Sequence, residues 1–173
     1  MSRAPVTVCA VLVLALVALA REVTGQTPTT GAAWRPFEGE WSAGGTRQTL
    51  PTEGDRPAAI IQVSGTVALA SGEGLSRGFR GEAIFFYDGA SLGVGRCVWT
   101  DDRGDRIFSA LRGEALETGR RITGTITGGT GRYAGVTGEF SFPWQYVVQA
   151  EDGAIQGRTV GLKGRIRTAE VPR

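Results

Sequence analysis

Histidine is absent from all 173 residues of the chain, and its absence excludes several chemistries. Without an imidazole there is no Ser-His-Asp or Cys-His nucleophile pair, no histidine-ligated zinc and no ordinary proton shuttle near neutral pH. Most hydrolase mechanisms are therefore excluded. Lysine is nearly absent as well, because 18 of the 19 basic residues are arginines and only Lys163 is a lysine.

The chain also has almost no net charge. Seventeen acidic residues oppose the 19 basic ones, and the basic residues are scattered along the chain rather than clustered. A chain of this kind has no extended positive field to attract a polyanion. We therefore expect no nucleic-acid partner.

Long apolar runs are confined to the N-terminus. Residues 6–20 are apolar or weakly polar, follow Arg3, and end in Ala18-Leu19-Ala20, the small-x-small pattern of a signal-peptide cleavage site. The run is shorter than the ~20 residues that span a bilayer. We interpret residues 1–20 as a cleaved signal peptide, with a membrane anchor as the alternative, and expect a secreted or periplasmic protein without a stable membrane span. Residues 21–36 are predicted to be a flexible leader, and residues 37–173 a single domain.

The two cysteines are Cys9 and Cys97, and Cys9 should leave with the predicted signal peptide. A single remaining cysteine excludes an intrachain disulfide. Its common role is that of a small buried hydrophobe, and a reactive or intermolecular thiol is the alternative. The acidic stretch 101–105 lacks the 12-residue calcium pattern with its bidentate glutamate. We predict an acidic turn there, no metal site and no cofactor.

Glycine, in contrast, is abundant at 27 residues, about twice the usual ~7%. Short β-branched and aromatic runs alternate with Gly and Asp, and no helical apolar stripe is present, so helix should be scarce. Eight antiparallel strands can close into a barrel whose interior is filled or holds one small ligand. The residues therefore predict an all-β barrel or sandwich, and eight strands suit a closed eight-stranded antiparallel barrel. Its predicted strands are Glu40–Leu50, Ala58–Ala70, Phe79–Asp88, Ser91–Thr100, Arg106–Gly113, Arg120–Thr127, Gly138–Val148 and Ala154–Arg167.

The third and fourth predicted strands form a hairpin. A two-residue type II′ loop at Gly89 and Ala90 would set its register. Glu82 then lies opposite Cys97 on one face, and a carboxylate in an apolar cavity can act as a general acid or base. The ordinary alternative is that Glu82 pairs with an arginine at the surface. The arginines available are Arg80, predicted opposite Trp99, and Arg96, predicted on the other face with Phe85, Tyr87, Leu92, Val94 and Val98.

A glycine-rich segment between two later strands carries a family resemblance. Residues 128–138 read Gly-Gly-Thr-Gly-Arg-Tyr-Ala-Gly-Val-Thr-Gly, and Phe142-Pro143-Trp144 and Leu162-Lys163-Gly164 follow. Over roughly Ala58–Arg167 this pattern resembles the allene oxide cyclase and dirigent barrel family, and we expect a secreted bacterial member. The resemblance implies a closed eight-stranded barrel with a cavity, and a homo-oligomer, either trimer or dimer.

The resemblance does not transfer a catalytic role. Family cyclases use a carboxylate and a cysteine in the cavity, whereas the strand that should carry the cysteine here, Ser64–Leu69, has none. Cys97 lies on a different strand. No catalytic residue is therefore assigned, and Glu82 and Cys97 are kept only as candidates.

Three functions follow from these observations. The first is binding of a small apolar or aromatic ligand without its conversion, because aromatic side chains with polar tips suit such a cavity. The alternatives are an isomerase or cyclase like the plant enzyme, and a non-catalytic envelope interaction protein with a filled barrel. The candidate ligand-binding residues are Tyr87, Arg96, Trp99, Trp144 and Tyr146.

Overall fold

The computed structural model describes residues 33–53, 57–89, 92–116 and 119–168. The predicted signal peptide and residues 21–32 of the predicted leader lie outside these residues and stay predictions. The predicted end of the leader at residue 36 is wrong, because the first strand begins at Arg35. Within the described part, strands and one short 3-10 turn, Gly131–Tyr133, form the regular structure. The strands are β1 (Arg35–Leu50), β2 (Ala58–Gly72), β3 (Gly78–Tyr87), β4 (Leu92–Thr100), β5 (Arg106–Ala115), β6 (Arg120–Gly129), β7 (Thr137–Gln149), β8 (Ala154–Thr159) and β9 (Leu162–Arg167).

The sheet closes on itself. Each strand from β1 to β7 pairs antiparallel with the next, and β8 and β9 both pair with β7 on one side and β1 on the other. β8 and β9 are two segments of one strand position, interrupted at Val160 and at Gly161, whose φ is +67°. The predicted closed eight-stranded antiparallel barrel is confirmed, although its last strand is interrupted rather than continuous. Closure removes the unpaired edges that would otherwise invite aggregation.

Helix is scarce, as the sequence predicts. Among the described residues the 3-10 turn is the only helical element. No helix in this part of the chain has the length and apolar character to cross a membrane.

Strict alternation of side chains fills the barrel interior. Odd-numbered residues of β3 and β4 point inward and are buried or nearly so, while their even-numbered neighbours face outward. Trp99 lies at the centre of the packing, with its ring centroid 5.0 Å from that of Phe140, 5.8 Å from Phe79 and 6.1 Å from Phe37. Each buried phenylalanine contributes on the order of 2 kcal/mol through removal of apolar surface from water.

Several inward positions are glycine because a large ring occupies the space across the pair. Gly124 lies opposite Phe140, and a Cβ added at Gly124 would lie 2.1 Å from the Phe140 ring. Gly93 lies opposite Tyr87, and its Cβ would lie 2.3 Å from that ring. The high glycine content therefore serves close packing inside the barrel as well as turns.

The predicted register of the β3–β4 hairpin is wrong by one residue. Ala83, not Glu82, lies opposite Cys97, and Tyr87 lies opposite Gly93. The predicted register would set Tyr87 opposite Leu92, so the observed pairing is shifted by one residue. A one-residue slip moves a strand's side chains to the other face relative to its partner. Cys97 and Trp99 therefore share the interior with Phe85 and Tyr87.

One end of the barrel is plugged. We call this the closed end; it carries the β2–β3 and β4–β5 loops and the 3-10 turn. Tyr133 and Val136 are buried there, and the Tyr133 hydroxyl accepts a hydrogen bond from the Ser76 backbone N–H at 3.2 Å. The opposite end, which carries the β1–β2, β3–β4, β5–β6 and β7–β8 connections, is called the open end.

A buried ion pair between Asp101 and Arg132 stabilises the closed end. The Asp101 side chain is completely buried, and its Oδ2 accepts hydrogen bonds from Nε (2.8 Å) and Nη2 of Arg132. Its Oδ1 accepts the backbone N–H groups of Arg103 (2.8 Å) and Asp105 (3.0 Å). Burial alone would raise the pKa of Asp101, but these hydrogen bonds outweigh it and lower the pKa below its usual value. The acidic loop is thus a turn organised around one ionised carboxylate.

Candidate functional site

The open end of the barrel contains two adjoining spaces. The inner one is an apolar pocket of about 40 Å³, and the outer one is a mouth of about 360 Å³. Four residues line both spaces and so mark the boundary between them: Ile61, Tyr87, Arg120 and Tyr146. We call these four the boundary residues. The wall of the inner pocket is mainly aromatic and includes Trp41, Phe85, Phe142 and Trp144.

Two arginines reach this end because of their place in the strand alternation. Arg120 begins β6 and is in phase with the buried Ile122 and Ile126. Arg47 lies towards the end of β1 and is in phase with the buried Trp41 and Ala43. Side chains two residues apart on a strand share a face, so both arginines face the barrel axis where it opens to solvent.

The guanidinium of Arg120 stacks on Tyr87. Its central carbon lies 3.7 Å from the centroid of the Tyr87 ring, and the Tyr87 ring in turn stacks on Phe85 at 4.9 Å. A guanidinium over an aromatic face is attracted by the ring quadrupole. Nη1 of Arg120 is buried and has no hydrogen-bond partner among the described residues. The stack thus fixes a cation at the boundary with a donor still unused.

Arg47 also lines the mouth. Its Nη1 donates to Oε1 of Gln149 at 2.8 Å, while its Nε is buried and has no partner within the described part of the chain. The ion pairs of the described residues include neither Arg47 nor Arg120. The mouth therefore contains two cations and no described carboxylate that neutralises them.

The two boundary tyrosines are neutral at physiological pH. Burial raises the pKa of Tyr87, and the nearby Arg120 only partly opposes this effect. Burial likewise raises the pKa of Tyr146, against the opposing charges of Arg120 and Arg47. Both phenols can donate or accept hydrogen bonds, but neither serves as a base near neutral pH.

Three of the five predicted ligand-binding residues meet at the open end. Tyr87 and Tyr146 are boundary residues, and Trp144 lines the inner pocket. Trp99 lies deeper, in the aromatic packing of the interior, and is 1% exposed. Arg96 was predicted on the same face as Tyr87, and this is wrong: it is exposed on the outer face of β4, opposite Ile84.

The two catalytic candidates do not meet. Glu82 lies on the outer face of β3, and its Oε1 accepts a hydrogen bond from Nη2 of Arg80 at 2.8 Å. The predicted pairing of Glu82 with Cys97 is wrong, and the surface ion pair of the ordinary alternative is confirmed. Cys97 is 2% exposed inside the barrel, where burial raises its pKa to about 12. A thiol with that pKa stays protonated at neutral pH, as expected of a small buried hydrophobe.

Sequence reasoning missed Arg47, Arg120 and Trp41. The signal was present, because each is in phase with the inward residues of its own strand. Arginine is a residue usually assigned to the surface, and near a barrel end its long side chain can face inward and still reach solvent. In the acidic loop, the Asp101 carboxylate accepts hydrogen bonds from Arg132 and from two backbone N–H groups.

No family model matches the chain, and no curated protein sequence matches it. Among solved structures, the chain is similar to the pterocarpan synthase dirigent protein GePTS1, with 8% sequence identity and a TM-score of 0.48. The match covers 79% of this chain and 93% of that one. The site at the open end is therefore interpreted from its own side chains.

Proposed function

We propose that the protein binds a small, mainly apolar ligand at the open end of the barrel and does not convert it. The observation that carries this proposal is the pair of adjoining spaces, bounded by Tyr87, Arg120 and Tyr146, at the one end of the described barrel that is not plugged. A mouth of about 360 Å³ is of the size that small-molecule sites in proteins have, ~300–1,000 Å³. The inner pocket beneath the mouth has the apolar wall typical of such sites, and the polar groups are those of the mouth.

Binding is favoured over conversion by the chemistry of the lining. The described residues that line the two spaces include no carboxylate and no thiol, and their phenols have raised pKa values. General acid-base catalysis needs a group that titrates near the working pH. The cyclase alternative also loses the Glu82–Cys97 pair on which it depended.

The proposal includes a compartment outside the cytoplasm, which rests on residues 1–20 of the sequence. The homo-oligomer implied by the family resemblance stays a prediction. The outer face of the barrel has an exposed apolar row on which self-association could be sought, since such rows often mark contact surfaces. Its members, opposite one another on β2, β3 and β4, are Ile60, Phe86 and Val94.

Narrowing the mouth should weaken binding. Ala59 lines the mouth opposite Tyr87, so an Ala59→Phe side chain would occupy the space where the ligand enters. We expect its dissociation constant for a bound ligand to rise at least ~10-fold, equivalent to about 1.4 kcal/mol. Isothermal titration calorimetry with short fatty acids and single-ring phenolics measures this directly.

The matched control is Ala68→Phe, on the same strand but exposed on the outer face. It should bind as the unchanged protein does. Unchanged affinity in Ala59→Phe would contradict the proposed function. The absence of detectable binding for both the fatty acids and the phenolics would also contradict it.

A further inference from the structure

Resting on the proposed binding function, we propose that the ligand is a compact aryl carboxylate. Its carboxylate would be held by Arg120 and Arg47, and its single ring would lie in the mouth against the boundary residues. Charge, geometry and size each support this class.

The charge argument concerns donors that have no acceptor. Nη1 of Arg120 and Nε of Arg47 are both buried without a hydrogen-bond partner in the described residues. Leaving a buried donor of a charged group unsatisfied is costly, so such donors normally face an acceptor. Both arginines also line the mouth, where a ligand carboxylate would neutralise part of their charge.

Arg120 contacts Tyr87 through the face of its guanidinium and not through its N–H edge. The Tyr87 ring covers one face of the guanidinium at 3.7 Å, and the N–H groups of a guanidinium lie in its plane. Stacking and carboxylate binding therefore use different parts of the same group. A planar carboxylate can accept two parallel N–H bonds from this edge, which inorganic chloride or a neutral hydroxyl cannot do.

Size restricts the rest of the ligand. The inner pocket of about 40 Å³ is smaller than the ~150 Å³ cavity that accommodates benzene, so a ring does not fit there. The mouth, at about 360 Å³, has room for one ring beside Ile61 and Tyr146. A long acyl chain has little room to extend, because Trp41 in the wall of the inner pocket packs against Phe142 and Trp144, with ring centroids 6.0 Å and 5.9 Å away. A compact aromatic acid fits both limits.

Comparison of trans-cinnamate with cinnamamide tests this inference, because the two differ by the charge at one end. We expect the protein to bind trans-cinnamate at least ~10-fold more tightly, measured by calorimetry and by quenching of tryptophan fluorescence. Arg120→Gln should abolish this preference, and Arg120→Lys should retain part of it. The control Arg121→Gln, exposed on the outer face of β6, should keep the full preference.

The outcomes separate this inference from the function on which it rests. Equal affinity for the two compounds in the unchanged protein would overturn the carboxylate inference and leave apolar binding intact, whereas binding of neither would count against both. An Arg120→Gln variant that keeps the preference would also overturn the inference. Should that variant fail to fold by circular dichroism, Arg47→Gln is the second test, with the same expected loss. Competition by inorganic phosphate at equal concentration would show a site for anions in general and likewise overturn the aryl class.

Discussion

Replacing Asp101 with alanine is expected to lower the free energy of unfolding by about 3 kcal/mol. The substitution leaves the Arg132 guanidinium and the backbone N–H groups of Arg103 and Asp105 without their acceptor at the closed end. Removing one partner of a buried ion pair costs about 3–5 kcal/mol, and the lower figure applies because Arg132 is 34% exposed and can be rehydrated. Urea unfolding followed by circular dichroism measures the difference.

Asp102→Ala provides the matched control for Asp101. Asp102 is adjacent and lies 3.6 Å from the same guanidinium, but its side chain is 78% exposed. Exposed ion pairs contribute only about 0–1 kcal/mol, so this variant should be nearly as stable as the unchanged protein. Equal losses from Asp101→Ala and Asp102→Ala would show that burial of the carboxylate does not matter.

The same carboxylate predicts a pH dependence. The pKa of Asp101 is lower in the folded protein than its ordinary value of 3.8, so the folded state favours the ionised form. This contribution is fully present above the unfolded-state pKa and is lost as pH falls below about 4 and through the lower folded-state pKa. Stability should therefore decrease more steeply below pH 4 in the unchanged protein than in Asp101→Asn. Parallel pH profiles for the two proteins would contradict this.

Gly124→Ala is the second substitution with a large expected effect, a loss of about 2–3 kcal/mol in unfolding free energy. The added Cβ would lie 2.1 Å from Cζ and 2.4–2.5 Å from both Cε atoms of the buried Phe140 ring. Overpacking a dense core forces side chains off their rotamers or shifts the backbone, at a cost of about 1–3 kcal/mol. Equilibrium unfolding in urea gives the value.

Gly78→Ala separates this packing effect from the general effect of adding a methyl group. A Cβ at Gly78 would meet nothing within 4 Å, and Gly78 is not among the positive-φ glycines. Alanine there should be neutral or stabilising by about 0.5 kcal/mol, because it restricts the unfolded chain. Gly124→Ala combined with Phe140→Leu should lose less than the sum of the two single changes, since they share one space. Simple additivity would argue against the proposed contact.

The architecture was predictable because each of its determinants is local. Alternating apolar residues bounded by glycine and aspartate define the strands, and the predicted bounds of β2 and β6 agree with the structure to within two residues at each end. Eight antiparallel neighbours can close into a small barrel, although the strand pattern alone also fits a sandwich. The interruption at Gly161 was missed because a single glycine does not show whether a strand bends or breaks.

The site was harder to predict because it depends on register. A one-residue shift in the β3–β4 pairing moves Glu82 away from Cys97. No local pattern on β4 forbids this shift, since β4 has apolar residues on both faces. Two glycines of β4 indicate the correct register. Gly93 and Gly95 face inward, where the rings of Tyr87 and Phe85 fill the space that a side chain would need. Placing each of these glycines opposite an aromatic residue of β3 gives the observed register.

The structure of the protein crystallised with trans-cinnamate tests the location of the ligand site most directly. We predict electron density for the ring in the mouth beside Tyr87 and Tyr146, with carboxylate oxygens about 2.7–2.9 Å from guanidinium nitrogens of Arg120 and Arg47. Density on the outer face near Arg80 and Arg96, or a mouth that stays empty at saturating ligand, would contradict the account.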